Sequence, residues 1–255
     1  MSQHRYSLTF LGVGAGLSPE LGNNNVLVEN EDRSAHLLVD CGPVTAHELK
    51  LAGRLQDIRN VFITHVHDDH VGGLQLWAQL NRYVFQQTPA LYFREELWEE
   101  LWPATMRGGL ERVSGPAGEP LTVGLDAYFE VHRLLEAQTV EIPGLPVLTP
   151  RLGLHVPGKP SFGFFLGEDV FFSADSQQLP PTVGPTGKPL RVIFQDCQLF
   201  DFPNGVHTSL ARLNRELPPE QKAITRLMHY NYEPDMDARA MGFWGFVPRN
   251  EPVWV

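Results

Sequence analysis

The stretch Thr64–Gly73 restricts the possible fold and function of this chain more than any other. Three histidines and two aspartates lie within the six residues His65–His70. The preceding apolar run, 61–63, predicts a buried strand, and in extended backbone His65 and His67 project to the same side. Imidazoles and carboxylates together suit a borderline divalent metal such as zinc. The stretch therefore predicts a metal site at the end of a strand.

Composition narrows the setting of this site. A chain of 255 residues fits one domain, 1–255, and we expect a lid or dimer-contact insertion near 94–130. No apolar run is long enough to span a bilayer, the start of the chain (1–6) carries no signal-peptide core, and two cysteines make no disulfide framework. These features predict a cytoplasmic protein. The net charge of −10 argues against binding a large polyanion but not a small phosphate ester.

The hydrophobic pattern predicts an α/β fold. Two series of strands, each followed by helices, indicate two packed sheets with helices outside. Within the proposed insertion, 95–102 reads as an acidic amphipathic helix stopped by Pro103, with Trp98 and Trp102 on one face as core or dimer contacts. The glycine-rich segment 108–120 then reads as a loose loop that could act as a lid or contact a partner.

Several predicted strands end in an ionisable residue, and such residues converge when neighbouring strands end at the same edge of a sheet. Any one of them could be an ordinary buried polar residue with a hydrogen-bonding partner. Taken with the histidine stretch, they would supply the ligands of two adjacent metals. These residues are Asp40, His65, His155, Asp175, Asp196 and His229.

The order of these residues resembles the metallo-β-lactamase-fold superfamily of binuclear hydrolases, over nearly the whole chain. The resemblance implies a four-layer αββα sandwich with the metals at one edge of both sheets. It also implies a role for each ligand, with Asp40 orienting the surrounding loops. One metal would be held by His65, His67 and His155, the other by Asp69, His70 and His229, and Asp175 would bridge both. Two divalent ions are expected, zinc first, with manganese or iron as alternatives.

A second group of residues resembles the ribonuclease Z-like phosphodiesterase branch of this superfamily. It comprises 192–197, 205–210 and 227–230, with Asp196 where that branch usually has glutamate. The Gly22-Asn23-Asn24 and 108–110 segments and the His207…His229-Tyr230 ending are similar to the compact cyclic nucleotide phosphodiesterases of this branch, including anti-Pycsar proteins.

That resemblance implies hydrolysis of a 3′,5′-cyclic nucleotide to the 5′-monophosphate by a hydroxide between two metals. Asp69, His207 and Asp196 would be the catalytic residues, with His207 as general acid and Asp196 orienting it. It further implies a homodimer and recognition of a small nucleotide by loops near 23–25, 107–112 and 230–232. The alternatives are a transfer-RNA 3′-processing endonuclease, a thioester or lactone hydrolase of the same fold, and a metal-binding protein without turnover.

Overall fold

The computed structural model describes residues 5–255. The strands are β1 (Tyr6–Phe10), β2 (Val26–Asn30), β3 (His36–Val39), β4 (Asn60–Ile63), β5 (Ala90–Arg94), β6 (Arg112–Ser114), β7 (Pro120–Thr122), β8 (Glu130–Leu134), β9 (Leu148–Leu152), β10 (Phe162–Leu166), β11 (Val170–Phe172), β12 (Val192–Asp196), β13 (Thr225–Met228), β14 (Gly245–Phe246) and β15 (Pro252–Trp254). The α-helices are α1 (Thr45–Leu51), α2 (Asp68–Val71), α3 (Leu74–Gln79), α4 (Arg107–Leu110), α5 (Leu210–Glu216) and α6 (Pro219–Ala223).

Two large mixed sheets carry the fold. The first has the strand order β15-β1-β2-β3-β4-β5-β8, and the second has β14-β13-β12-β11-β10-β9. Strands β3, β4, β5 and β8 run parallel to one another, as do β11, β12, β13 and β14. Because parallel strands end at the same edge of a sheet, the residues that follow β3 and β4, and those that follow β12 and β13, come together there.

The core follows the two-residue alternation of the strands. Phe62 and Phe164 face the space between the sheets, where their rings meet edge to face with centroids 5.8 Å apart. Phe165 points to the opposite face of its sheet and joins a separate cluster with Phe171 and Ile193. Ile63 likewise turns outward, into a cluster that includes Trp77 of α3. The predicted sandwich of two sheets with outer helices is confirmed.

The segment after β5 differs from the prediction. The chain forms a 3₁₀ turn at Glu95–Leu97 and then π-helical turns over Glu100–Met106, so Pro103 does not stop the helix. Pro103 is the fourth residue of the π-helical segment, and Glu99 before that segment is also helical, so the helical turns continue through the proline. Trp102 is buried, and Trp98 stacks on Phe93, so both tryptophans are used within the chain.

Segment 108–120 is more ordered than predicted. It begins in α4 and continues into a two-stranded hairpin in which Arg112 pairs with Thr122 and Ser114 with Pro120. Most hairpin residues are exposed, with Val113 half-buried.

Two sequence predictions concern membrane-spanning segments and the start of the chain. Across residues 5–255, the structure contains no helix with the length and apolar character needed to cross a bilayer. The prediction made from the start of the chain falls largely on residues 1–4, which lie outside the described residues.

Candidate metal centre

Loops from both sheets build a first cluster of ligand atoms. It consists of His65, His67, His155 and Asp175, whose candidate ligand atoms lie within 4.8 Å of one another. His67 Nδ1 is 3.0 Å from His65 Nε2 and 3.2 Å from His155 Nε2. Asp175 Oδ2 lies 3.6 Å from His65 Nε2. Three imidazoles and a carboxylate converging in this way form a four-ligand set suited to zinc.

A second cluster shares Asp175 with the first. It adds Asp69, His70 and His229. His70 Nε2 lies 3.2 Å from Asp69 Oδ2 and 3.4 Å from Asp175 Oδ1, and His229 Nε2 lies 3.4 Å from Asp69 Oδ2. The structure thus brings together all seven residues predicted to be ligands, with Asp175 positioned between the two clusters.

The donor set fits a pair of divalent cations. His70 Nε2 and Asp175 Oδ1 are fully buried and have no hydrogen-bond partner, which is costly unless a cation lies between them. Four carboxylates are gathered around the two clusters, and two divalent ions would balance their charge. These are Asp40, Asp69, Asp175 and Asp196.

The local electrostatics agree with this charge balance. Burial alone would lower the pKa of the His70 imidazole, but the neighbouring Asp175, Asp69 and Asp40 carboxylates outweigh it and raise the pKa well above its usual value. The surrounding carboxylates thus favour positive charge at this position.

Asp40 orients two of the histidines. It follows β3 with a positive φ of 64°, and its Oδ2 accepts from His70 Nδ1 at 2.7 Å. The Thr64 hydroxyl donates to Asp40 Oδ2 at 2.7 Å and lies 3.0 Å from His65 Nδ1, from which it can accept. With Nδ1–H engaged in each ring, Nε2 carries the lone pair that faces the clusters. The position of Asp40 therefore matches the orienting role expected of it.

Two further ligand histidines, His155 and His229, are oriented by groups of the second half of the chain. His155 Nδ1 donates to the Val206 carbonyl at 2.9 Å, and His229 Nδ1 lies 3.2 Å from Asp196 Oδ1. The second contact was not foreseen in the sequence. It follows from the parallel pairing of β12 and β13, in which Asp196 lies opposite Met228, the residue before His229.

Asp196 joins this metal-facing histidine to His207. Its carboxylate is fully buried, and Oδ2 accepts from His207 Nδ1 at 2.8 Å and from the Ser176 backbone N–H at 2.8 Å. Burial lowers the pKa of His207, but the adjacent Asp196 carboxylate outweighs burial and raises it. His207 lies in the loop before α5, which begins at Leu210 with Ser209 as its N-cap.

A cleft of about 660 Å³ opens over both clusters. His67, Asp69, His155, Asp175, His207 and His229 line its floor, and no lysine or arginine is among the described residues that line it. Of the loops expected to recognise a nucleotide, only Asn23 and Asn231 line the cleft, and 107–112 do not. Sequence reasoning also missed three exposed apolar residues on its rim, which carried no periodic signal: Leu17, Phe200 and Phe202.

Comparison with known proteins adds a family and confirms the fold. A family model described as "Anti-Pycsar protein Apyc1" matches residues 6–253. The Anti-Pycsar protein Apyc1 of Paenibacillus harenae is 35% identical over 231 residues, covering 88% of this chain and 89% of the relative. That of Paenibacillus sp. (strain J14) is 33% identical over 250 residues, covering 96% and 97%.

Among solved structures, the metallo-β-lactamase-fold protein YhfI from Bacillus subtilis superposes with a TM-score of 0.70. It is 16% identical and covers 98% of this chain and 100% of its own. At that identity the likeness concerns the fold, and it confirms the αββα sandwich that the sequence predicts.

Proposed function

The chain belongs to the anti-Pycsar protein Apyc1 family of metal-dependent hydrolases, and we propose that it opens a small 3′,5′-cyclic nucleotide to the 5′-monophosphate. The observation that carries this proposal is the His207–Asp196 pair, in which His207 lines the cleft over the ligand clusters and the buried Asp196 also contacts His229. A hydrolase needs such a proton donor when its leaving group is a poor one.

The chain's own groups suggest how the reaction is divided between them. When bound, a pair of divalent metals supplies a water of lowered pKa and neutralises charge on the phosphoryl oxygens. His207 donates Nδ1–H to Asp196, so Nε2 is the nitrogen free to hold a proton for the departing 3′ oxygen. Asp196 fixes the ring and stabilises its protonated form. A ribose alkoxide requires this help, whereas a thiolate leaves readily without it.

We propose that the metals are held as the superfamily resemblance implies. His65, His67 and His155 would bind one, and Asp69, His70 and His229 the other, with Asp175 shared. Histidine-rich sets of this kind favour zinc, with manganese and iron as alternatives.

The cleft supports a small substrate rather than a nucleic acid. Its volume of about 660 Å³ falls in the range typical of small-molecule sites. The two arginines of segment 107–112, Arg107 and Arg112, both form ion pairs with Glu111 and so are not free to hold a nucleic acid. With a net charge of −10, the chain offers little attraction for a polyanion.

We also propose that 1–255 is one domain that forms a homodimer through the insertion near 94–130. The β6–β7 hairpin supports this, because a two-stranded sheet whose residues are mostly exposed is marginally stable alone. Replacing 112–122 by a short glycine-serine linker should shift the mass measured by light scattering from dimer to monomer; an unchanged mass would exclude the hairpin as the contact.

A cytoplasmic location is supported by Cys41 and Cys197, which are buried and unpaired.

The test is a substrate panel given to metal-loaded protein. It contains purine and pyrimidine 3′,5′-cyclic nucleotides, a transfer-RNA precursor, and a thioester. We expect the cyclic nucleotides to be opened to 5′-monophosphates, with His207→Ala severely impaired. Cleavage of the precursor with a steep salt dependence, or thioester hydrolysis that survives His207→Ala, would replace the proposal by the corresponding alternative.

A further inference from the structure

Three large apolar side chains on the rim of the cleft are unusually exposed. Leu17 is 99% exposed, Phe202 65% and Phe200 46%. All three line the same cleft as the ligand clusters. Exposed apolar residues gathered around one cleft commonly mark a binding site. We call these three residues the apolar rim.

The apolar rim is built on two loops that are tied together. Leu17 lies in the loop after β1, and Phe200 and Phe202 lie in the loop between β12 and α5. Asn231 links the two, since its side-chain Oδ1 accepts from the Leu199 backbone N–H at 3.2 Å and its carbonyl accepts from the Ser18 hydroxyl. Asn231 is also two residues beyond His229, so the link is anchored at the second cluster.

Phe200 is held from both sides along its own loop. Its carbonyl accepts from Gln198 Nε2 at 2.9 Å, and the next residue, Asp201, accepts from the Ser209 hydroxyl at the start of α5. Such bonds limit the motion of the loop and so reduce the ordering cost of binding. The ring is thus presented to the cleft by a braced loop.

We propose that the apolar rim is the nucleobase subsite and that Asn231 is the positioning residue that holds its two loops in register. This inference rests on the proposed function, since it assigns the base of the same cyclic nucleotide. A substrate whose phosphate lies over Asp175 extends its base along the cleft, and the rim offers ring faces on which the base stacks. Stacking on an aromatic ring contributes substantially to the binding free energy, and every base can stack in this way.

Two consequences distinguish this subsite from the reacting groups. The rim touches no reacting atom, so its loss raises KM and leaves kcat nearly unchanged, unlike loss of His207. A purine presents a larger ring face than a pyrimidine, so removal of the rim raises KM more for a purine. The rim is thus a source of substrate preference as well as affinity.

The experiment compares three substrates and four proteins. The substrates are a purine cyclic nucleotide, a pyrimidine cyclic nucleotide, and base-free ribose 3′,5′-cyclic phosphate. The proteins are wild type, the double variant Phe200→Ala/Phe202→Ala, Asn231→Ala, and the control Tyr83→Ala. Tyr83 is a 57% exposed aromatic that does not line the cleft.

We expect the double variant to raise KM for the nucleotides by roughly 10-fold to 100-fold, more for the purine, with no change for the base-free substrate. Asn231→Ala should show the same pattern at smaller size, and the control Tyr83→Ala should leave every KM unchanged. Unchanged KM values in the double variant, or equal losses on the base-free substrate, would overturn the subsite while leaving the proposed function intact. A wild type inactive on all three substrates would instead overturn the proposed function.

Discussion

Asp196→Asn is the substitution that best separates the proposed roles in this site. The buried carboxylate accepts from His207, His229 and the Ser176 backbone. Asparagine has nearly the same shape, but it lacks the charge and replaces one acceptor oxygen by an N–H donor. One of the two histidines must then lose its acceptor and can no longer keep the same ring orientation and protonation.

The magnitude follows from the contacts. A hydrogen bond to a charged group contributes roughly 1.5–3 kcal/mol, which corresponds to about 10-fold to 150-fold in rate for the His207 contact alone. The amide also removes the negative charge that both histidines face, which weakens the hold of His229 on one metal, so we expect kcat on a cyclic nucleotide to fall roughly 10²-fold to 10⁴-fold, the range for general acid catalysis.

The assay varies the leaving group. A cyclic nucleotide expels an alkoxide that needs a proton, whereas a 4-nitrophenyl phosphodiester expels a stable phenolate that does not. His207→Ala should therefore hydrolyse the cyclic nucleotide much more slowly than wild type does, and the 4-nitrophenyl ester at nearly the wild-type rate. Asp196→Asn should lower the rate on the cyclic nucleotide as much as His207→Ala does. Any decrease that it also causes in the rate on the aryl ester measures the effect of its contact with His229.

The control is Asp237→Asn, an exposed carboxylate that accepts from the Arg239 backbone N–H at 2.9 Å and lies outside the cleft lining. It should leave the rates on both substrates unchanged. If His207→Ala slows hydrolysis of the aryl ester as much as that of the cyclic nucleotide, while metal content stays constant, then His207 is not the proton donor and the reasoning is refuted.

Three further predictions test the metals and the core. Asp175→Ala should lower the metal content from roughly two ions per chain, and elemental analysis that finds full occupancy would refute the bridging role. Asp40→Ala should weaken metal affinity roughly 10-fold to 100-fold in competition with a chelator, while exposed Asp32→Ala should not; equal affinities would remove the orienting role. Phe164→Ala should lower the free energy of unfolding in urea by roughly 3–5 kcal/mol, and Phe200→Ala should leave it nearly unchanged; similar losses would contradict the burial of one ring and the exposure of the other.

Local sequence patterns predict much of the fold and the convergence of the proposed ligands. Alternation places Phe164 between the sheets and Phe165 outside them, and this period is visible in the sequence. The spacing of His65 and His67 fixes which residues share a side of the extended chain. Strand ends predict convergence because parallel strands finish at one edge.

What the sequence did not predict depends on contacts between distant segments or on irregular backbone. Pro103 lies inside π-helical turns, and the hydrophobic period of the sequence does not report where the backbone adopts these wider turns. The contact of Asp196 with His229 requires knowing that β12 and β13 are neighbours. Phe200 and Phe202 lie in a loop, where the sequence does not indicate whether an aromatic side chain is buried or exposed.

The division of the two clusters between the sheets has a consequence for the stability of the whole molecule. His65 and His67 come from the first sheet and His155 and Asp175 from the second, so each half contributes two groups to the first cluster. The second cluster is divided in the same way, with Asp69 and His70 from one side and Asp175 and His229 from the other. Neither half alone can complete either set.

Sheet docking and metal binding are therefore linked equilibria. Each tenfold rise of free metal above its dissociation constant stabilises the docked state by about 1.4 kcal/mol for each ion bound. The same ions that would activate water thus act as a clamp between the two halves, and a chain whose sheets have separated loses its catalytic centre and this source of stability in one step.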